Sequence, residues 1–313
     1  MSRSRHTPYV RVPRKWTDHL DLPGVSGGCT FAERAYQGWG CLMLRLHQRW
    51  LACAGMAFLL ATGLLAAQDE PKLTEDQIRE FLLKAKVVQS HQTSKGVTAP
   101  WRLTLTDGTL THDAGFQSIE EFKVRADFPS RTEFNFRDSY HFNIAAFELA
   151  KLLGLGEMIP VTVERRWKGD KGSLSWWVPA KLDEQERQKQ NLQPPDANAW
   201  NMQMNKMWVF SQLVYDTDRN QTNMLITEDW KLIIIDFSRA FRMSHKLHDP
   251  KTLVMCDRQL LEKLRQLDGA QVLERTKPHL TKGEVEAVMA RRDLIVAHFE
   301  QLIKEKGEEK VMY

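Results

Sequence analysis

Tyr215-Asp216-Thr217-Asp218-Arg219-Asn220-Gln221-Thr222-Asn223-Met224-Leu225-Ile226-Thr227, then Glu228-Asp229, then Trp230-Lys231-Leu232-Ile233-Ile234-Ile235-Asp236-Phe237-Ser238-Arg239-Ala240-Phe241, is the stretch on which the reading of this chain turns. Two short apolar runs, residues 224–227 and 232–235, flank a polar turn, which is the pattern of a β-hairpin. Antiparallel pairing brings the open ends together, so Asn223 and Asp236 are expected at one mouth, with Asp218 in the loop just before the first strand. An acid, an amide and a second acid suit phosphoryl transfer. The second Asp and the Asn offer hard oxygen ligands to Mg²⁺ against nucleotide phosphates, and the first Asp orients or deprotonates the attacking hydroxyl. The competing reading is a hairpin decorated with Asp and Asn for the turns they favour. The apolar strand running into Asp236-Phe237 argues against it.

The same residues carry a family resemblance. Asp218-Arg219-Asn220-Gln221-Thr222-Asn223-Met224-Leu225 and Ile234-Ile235-Asp236-Phe237-Ser238-Arg239-Ala240-Phe241 resemble the catalytic and metal-binding loops of phosphoinositide kinases, D-R-H-x-x-N and I-D-F-G. They are also similar to those of the secretory-pathway (Golgi casein kinase-like) protein kinases, an atypical branch of the kinase-like fold. The resemblance implies an α+β, two-lobed protein-kinase-like fold, with a β-rich first lobe, a mainly helical second lobe, and ATP and Mg²⁺ in the cleft between them. It makes Asp218 the catalytic Asp and Asn223 and Asp236 the metal ligands. Asn220 stands where phosphoinositide kinases have His and joins the cofactor-binding candidates, and Ser238 stands where they have Gly. Neither departure removes a metal ligand.

Asn143-Ile144-Ala145-Ala146-Phe147-Glu148-Leu149-Ala150-Lys151-Leu152-Leu153-Gly154 has helical spacing and stops at glycine. It is similar to a secretory-kinase helix, E-I-A-A-F-x-L-x-x-I-L, and extends the resemblance over about two thirds of the chain. In active members a strand Lys after Phe binds the nucleotide phosphates and pairs with the Glu that opens this helix. Here Phe116 is followed by Gln117, and the helix opens with Asn143. A Lys-Glu ion pair becomes a Gln117-Asn143 amide pair, so both charges vanish together and neither is left buried alone. The cation this removes has candidate replacements in Lys123, Arg125 and Arg102, and Glu148 is a candidate to stand in for Asn143. Their competing reading is solvated surface charge.

Around these motifs, residues 73–88 read as an amphipathic lead-in helix capped by Thr74. The Gly96 turn opens a strand region, with backbone amides as candidate phosphate donors. Residues 101–106 and 109–116 then form strands about the Asp107-Gly108 turn. A second hairpin joins residues 161–167 to 172–178 through 168–171, and its end places Trp177 or Val178 beside adenine in the kinase reading, against a packing role for the tryptophan. Residues 181–195 read as an interlobe loop, and 197–215, 253–267 and 282–304 as helices. His245 and His248, three apart, have metal spacing only if helical, and no third ligand matches them.

With 313 residues, 42% hydrophobic, the chain can bury the core of a two-lobed domain. A net charge of +4 with both signs interspersed calls for no nucleic-acid partner. The four cysteines have no metal spacing and no paired framework, and H-E-x-x-H and G-x-S-x-G are absent, so zinc-protease and serine-hydrolase chemistry have no anchor. From Met43 a short basic head precedes an uncharged run at 51–67 that ends in Ala66-Ala67, a secretory signal pattern too short for the roughly 20 residues of a membrane span. Residues 1–42 are then a disordered extension or a mis-called start, 43–67 a signal peptide or membrane anchor, 68–92 the lead-in segment, 93–179 the first lobe and 180–313 the second. The expected protein is a monomer, exported or membrane-anchored through 51–67, or cytoplasmic if that signal does not work. It phosphorylates a hydroxyl of a protein in preference to a lipid. The alternative is a pseudokinase that binds nucleotide or a partner without turnover.

Overall fold

The computed structural model describes residues 73–93, 100–128 and 131–313. Thr74 caps α1 (Glu75–Lys84): its hydroxyl accepts from the Gln77 N–H, and the Gln77 side chain accepts in return from the Thr74 N–H. Helix α1 buries Phe81 and Leu82, and Arg165 donates to the carbonyls of Leu82 and Ala85 at 2.6 Å each. The helix ends earlier than its periodicity suggests. Ala85 turns extended, and β1 (Lys86–Gln92) pairs antiparallel with β2 (Trp101–Thr106). Val87-Val88 continues helical spacing, yet two β-branched residues at a sheet edge gain more from the ladder than from another helical turn. The Gly96 turn and the 43–67 signal segment both lie outside the described residues.

Strand β2 returns through the Asp107-Gly108 turn into β3 (Thr111–Gln117). The Asp107 carboxylate accepts from the Thr109 and Leu110 N–H groups at 2.8 Å each, and Gly108 has φ +95°. β6 (Thr162–Trp167) and β7 (Asp170–Trp176) meet across Lys168-Gly169, both with positive φ, the two-residue turn that matches strand twist. β7 pairs with β3, giving one antiparallel sheet in the order β1-β2-β3-β7-β6. Gly172 permits the close approach, since a Cβ there would sit 2.3 Å from the Gln117 carbonyl. Phe81, Leu82, Leu103, Leu105, Phe116 and Leu174 fill the core between α1 and this sheet.

Between β3 and the next helix the chain forms a two-stranded ribbon, β4 (Glu120–Phe128) and β5 (Arg131–Ser139), in which Phe122, Val124, Ala126 and Phe128 alternate with charged residues. Phe122, Val124 and Phe134 are exposed while Ala126 and Phe136 are buried, so only part of the ribbon packs against the protein. α2 (His141–Leu152) follows, with every residue from Phe142 to Ala150 buried. Its apolar side chains belong to the larger, second core, together with α4 (Ala197–Leu213) and α7 (Lys282–Lys306). The segment expected to be a loop at 181–195 instead holds β8 (Leu182–Asp183) and α3 (Glu184–Lys189), the latter started by an Asp183–Glu186 capping box. α5 (Arg258–Gln266) and α6 (Gly269–Thr276) complete the second lobe. The arrangement is a mixed fold with an antiparallel sheet first and helices after, as expected. Among the described residues no helix is long and apolar enough to cross a membrane.

Candidate functional site

The hairpin forms as read. β9 (Met224–Ile226) pairs with β10 (Leu232–Ile234) in the register Met224↔Ile234, Leu225↔Ile233 and Ile226↔Leu232. One step below, the Ile235 N–H donates to the Asn223 carbonyl at 3.1 Å, so Asn223 lies opposite the residue before Asp236. The Asn223 side-chain NH₂ donates to the Asp218 carbonyl at 3.3 Å, and among the described residues no donor reaches its Oδ1. Loop and hairpin thus converge as the spacing suggests.

Arg219 is what gathers them, and sequence reasoning gave it no role. Its guanidinium pairs with the buried Asp216 carboxylate and donates to the carbonyls of Asn223 at 3.1 Å, Ile235 at 2.7 Å and Asp236 at 3.4 Å. Asp216 in turn accepts from the Asp218 N–H at 3.0 Å. A single fork with five donors fixes the backbone of the 216–219 loop against both ends of the hairpin.

Asp236 has φ +57°, in the left-handed region that a non-glycine residue adopts at a cost, and Phe237 beneath it is buried. Desolvation raises the Asp236 carboxyl above the ordinary carboxylate range and the nearby Asp138 adds to this. Hydrogen bonds from Ser238 and the Arg219 charge oppose the shift without reversing it. Arg239 lies between the acids. Its Nε meets Asp138 at 3.0 Å and its Nη1 meets Asp218 at 3.4 Å, while among the described residues no hydrogen-bond donor reaches the buried Asp138 Oδ1. Asp138 and Arg239 are additions that no local pattern signalled, for they stand 101 residues apart.

Asn143 joins this centre to the sheet. Its Oδ1 accepts from the Phe237 N–H at 2.7 Å, and its Nδ2 donates to Gln117 Oε1 at 2.6 Å and Ser173 Oγ at 3.2 Å. Gln117 and Asn143 therefore meet as an amide pair. Glu148 does not substitute for Asn143, because five residues on it faces away and pairs with Arg79 and, at 2.8 Å, with Arg275. Nor do the three candidate cations reach Gln117. Arg102 pairs with Asp113, Lys123 with Glu121, and Arg125 with Asp127.

Trp177 and Val178 follow the end of β7, both half-buried. The Trp177 ring lies under the Arg102 guanidinium at 4.5 Å, and its carbonyl contacts His112 Nε2 at 2.9 Å. Gly115, beneath Trp177, shares a sheet face with Gln117. Asn220 serves the loop itself: its Oδ1 accepts from the N–H groups of Thr222 and Asn223 and from the Thr222 hydroxyl. It borders an open hollow of about 700 Å³ with Glu184, Met204 and Trp208, on the α3 side. That acceptor is spent on capping, which is why it does not join the acids. His245 and His248 lie in an irregular segment, and the His248 ring packs 5.4 Å from Tyr215.

No protein-family model matches the chain, and no curated protein is significantly similar to it in sequence. Solved structures are. Hydra Fam20, determined with a sugar, is similar with a TM-score of 0.57 at 16% identity over 76% of this chain and 91% of that one. The Golgi casein kinase with Mn and ADP bound has a TM-score of 0.57 at 13% identity, covering 76% and 78%. A further structure of the Golgi casein kinase has a TM-score of 0.55, also at 13% identity. At such identities the likeness is one of fold, and the fold is kinase-like.

Proposed function

Proceeding from an atypical kinase-like fold, we propose that this protein transfers the γ-phosphoryl of ATP to a hydroxyl, on a protein in preference to a lipid, with Mg²⁺. The reading rests above all on the convergence of Asp218, Asn223 and Asp236 around one buried arginine. The donor set suits a hard divalent cation: among the described residues no donor reaches the Asn223 side-chain oxygen, and the desolvated Asp236 carboxyl is met by Ser238, whose N–H lies at 3.4 Å. Bound there, the ion would offset charge on the phosphate oxygens. Asp218, more open to solvent than Asp236, accepts the proton of the attacking hydroxyl. Arg239, beside Asp218, is the cation placed to meet phosphate in the absence of the strand lysine. A Golgi casein kinase among the structural neighbours is compatible with export of this chain.

One observation favours a second reading. The Gln117–Asn143 pair is neutral where active kinases of this type are expected to carry a Lys-Glu ion pair, which is what a pseudokinase that binds nucleotide without turnover would show. Labelled ATP with Mg²⁺ and a hydroxyl-bearing acceptor such as dephosphorylated casein separates the two. Transfer that falls about 10²–10³-fold in Asp218→Asn, with ATP binding by thermal shift unchanged, supports the kinase. Binding without transfer in the native protein selects the pseudokinase, and no ATP-dependent shift at all removes both.

Restoring the charges tests the pair directly. Gln117→Lys and Asn143→Glu should each destabilise the protein alone, by burying a charge with no partner. Combined, they should show a favourable coupling of about 1–3 kcal/mol in a double-mutant cycle. The double variant should bind ATP roughly tenfold more tightly, as one charge-assisted hydrogen bond of about 1.5 kcal/mol would give. Additive effects with unchanged ATP affinity would show that the pair does not face nucleotide.

A further inference from the structure

Away from the acids, three side chains from three elements point at one spot. His141 opens α2, Glu164 lies in β6, and His279 sits in the link between α6 and α7, and their ligating atoms all lie within 4.8 Å of one another. The Nδ1 atoms of the two imidazoles are 2.8 Å apart. The group is half-buried, so water can reach it. We propose that His141, Glu164 and His279 bind a zinc-class divalent metal ion. It would join the first lobe to the second and leave one position open to water.

The donor chemistry selects the ion. Two imidazole nitrogens and one carboxylate oxygen are a zinc-type set, with a solvent molecule completing a tetrahedron, and they are poor ligands for Mg²⁺, which prefers oxygen throughout. Two nitrogens at 2.8 Å need separate by only about half an ångström to reach the spacing set by Zn–N bonds of about 2.0–2.1 Å. Metal then takes the place of the one proton the two rings can share. With the ion bound, each ring would carry its proton on Nε2, leaving both Nδ1 lone pairs to the metal. Glu164 is oriented from behind, accepting from the Tyr140 hydroxyl at 3.3 Å and pairing with Lys171 at 3.1 Å, and the Tyr140 ring stacks on His141.

The position matters because His141 is two residues from Asn143, whose side chain holds the Phe237 N–H. An ion here would pin the start of α2 to β6 and to the α6–α7 link together. Nothing in this site depends on the phosphotransfer reading.

The test uses the full chain stripped with a chelator and titrated with ZnCl₂. One equivalent of zinc should survive gel filtration, and the unfolding midpoint should rise by about 5–10 °C at zinc a hundredfold above its dissociation constant. Both effects should disappear in His141→Gln/His279→Gln, whose amides keep hydrogen bonding but bind zinc poorly, while the response to Mg²⁺ and ATP persists. Cobalt supplies a readout that needs no variant, because a four-coordinate site gives an intense visible band. Loss of zinc on gel filtration, equal retention in the double variant, or a weak six-coordinate cobalt spectrum would each overturn the assignment.

Discussion

Asp236→Ala should abolish metal-dependent ATP binding and lower any phosphoryl transfer by about 10⁴-fold. A carboxylate about 4 Å from a divalent charge in a medium of effective dielectric near 20 contributes about 8 kcal/mol, part of which desolvation offsets. A net loss of ~5 kcal/mol is nearly four decades in rate. The fold should tolerate the change. With its carboxyl raised above the unfolded value, Asp236 stabilises the native state only while protonated, and that contribution fades as pH rises through its folded value. At neutral pH the free protein therefore gains nothing from the ionised side chain, and removing it should cost little. The same shift sets the pH dependence of binding. Metal must displace the proton, so its apparent affinity should fall about tenfold per pH unit once the pH is below that raised value. Isothermal titration with Mg²⁺ and ATP at neutral and mildly acidic pH measures both. An Asp236→Ala protein that still binds ATP in a metal-dependent way would remove Asp236 from the site.

Arg219→Ala should be the most destabilising substitution in the loop, by about 3–5 kcal/mol, or roughly a 10 °C drop in Tm. The guanidinium and the Asp216 carboxylate are 3% and 1% exposed, so truncation leaves a buried carboxylate without its counter-charge. It also takes the Arg219 donor from the Ile235 carbonyl. Arg219→Lys separates the two effects. An ammonium keeps the charge but cannot fork, so it should cost only about 1–2 kcal/mol while still loosening the hairpin mouth. Urea unfolding of both variants checks this, and a loss below about 1 kcal/mol for Arg219→Ala would show that the loop holds its shape without the arginine.

What the sequence made legible was local. The hairpin and the meeting of Asn223 with Asp218 follow from two apolar runs and a turn, and the Thr74 cap follows from residue chemistry at fixed offsets, whereas the 168–171 connection proves to be a two-residue Lys168-Gly169 turn with Asp170 and Lys171 in the strand. Long-range convergence was not legible. Asp138 and Arg239 meet across 101 residues, and His141 and His279 across 138, with no periodicity connecting either pair. The β4–β5 ribbon is different: Phe122, Val124, Ala126 and Phe128 alternate with charged residues in the sequence, but Phe122 and Val124 are exposed, so the alternation marks no continuous core face. β1 was hidden behind helical spacing that only pairing with β2 overrules.

Phe142, Ala145, Ala146, Phe147, Leu149 and Ala150 sink into the second-lobe core, and this decides which parts can move. Were the two halves to open and shut on a ligand, α2 would behave as part of the anvil, and the five-stranded sheet, carrying α1 with it, as the hammer. The fault line would run along α2, spanned by the Arg79–Glu148 ion pair and by the side-chain amides of Gln117 and Asn143. Those two residues would then act as the latch of the jaw.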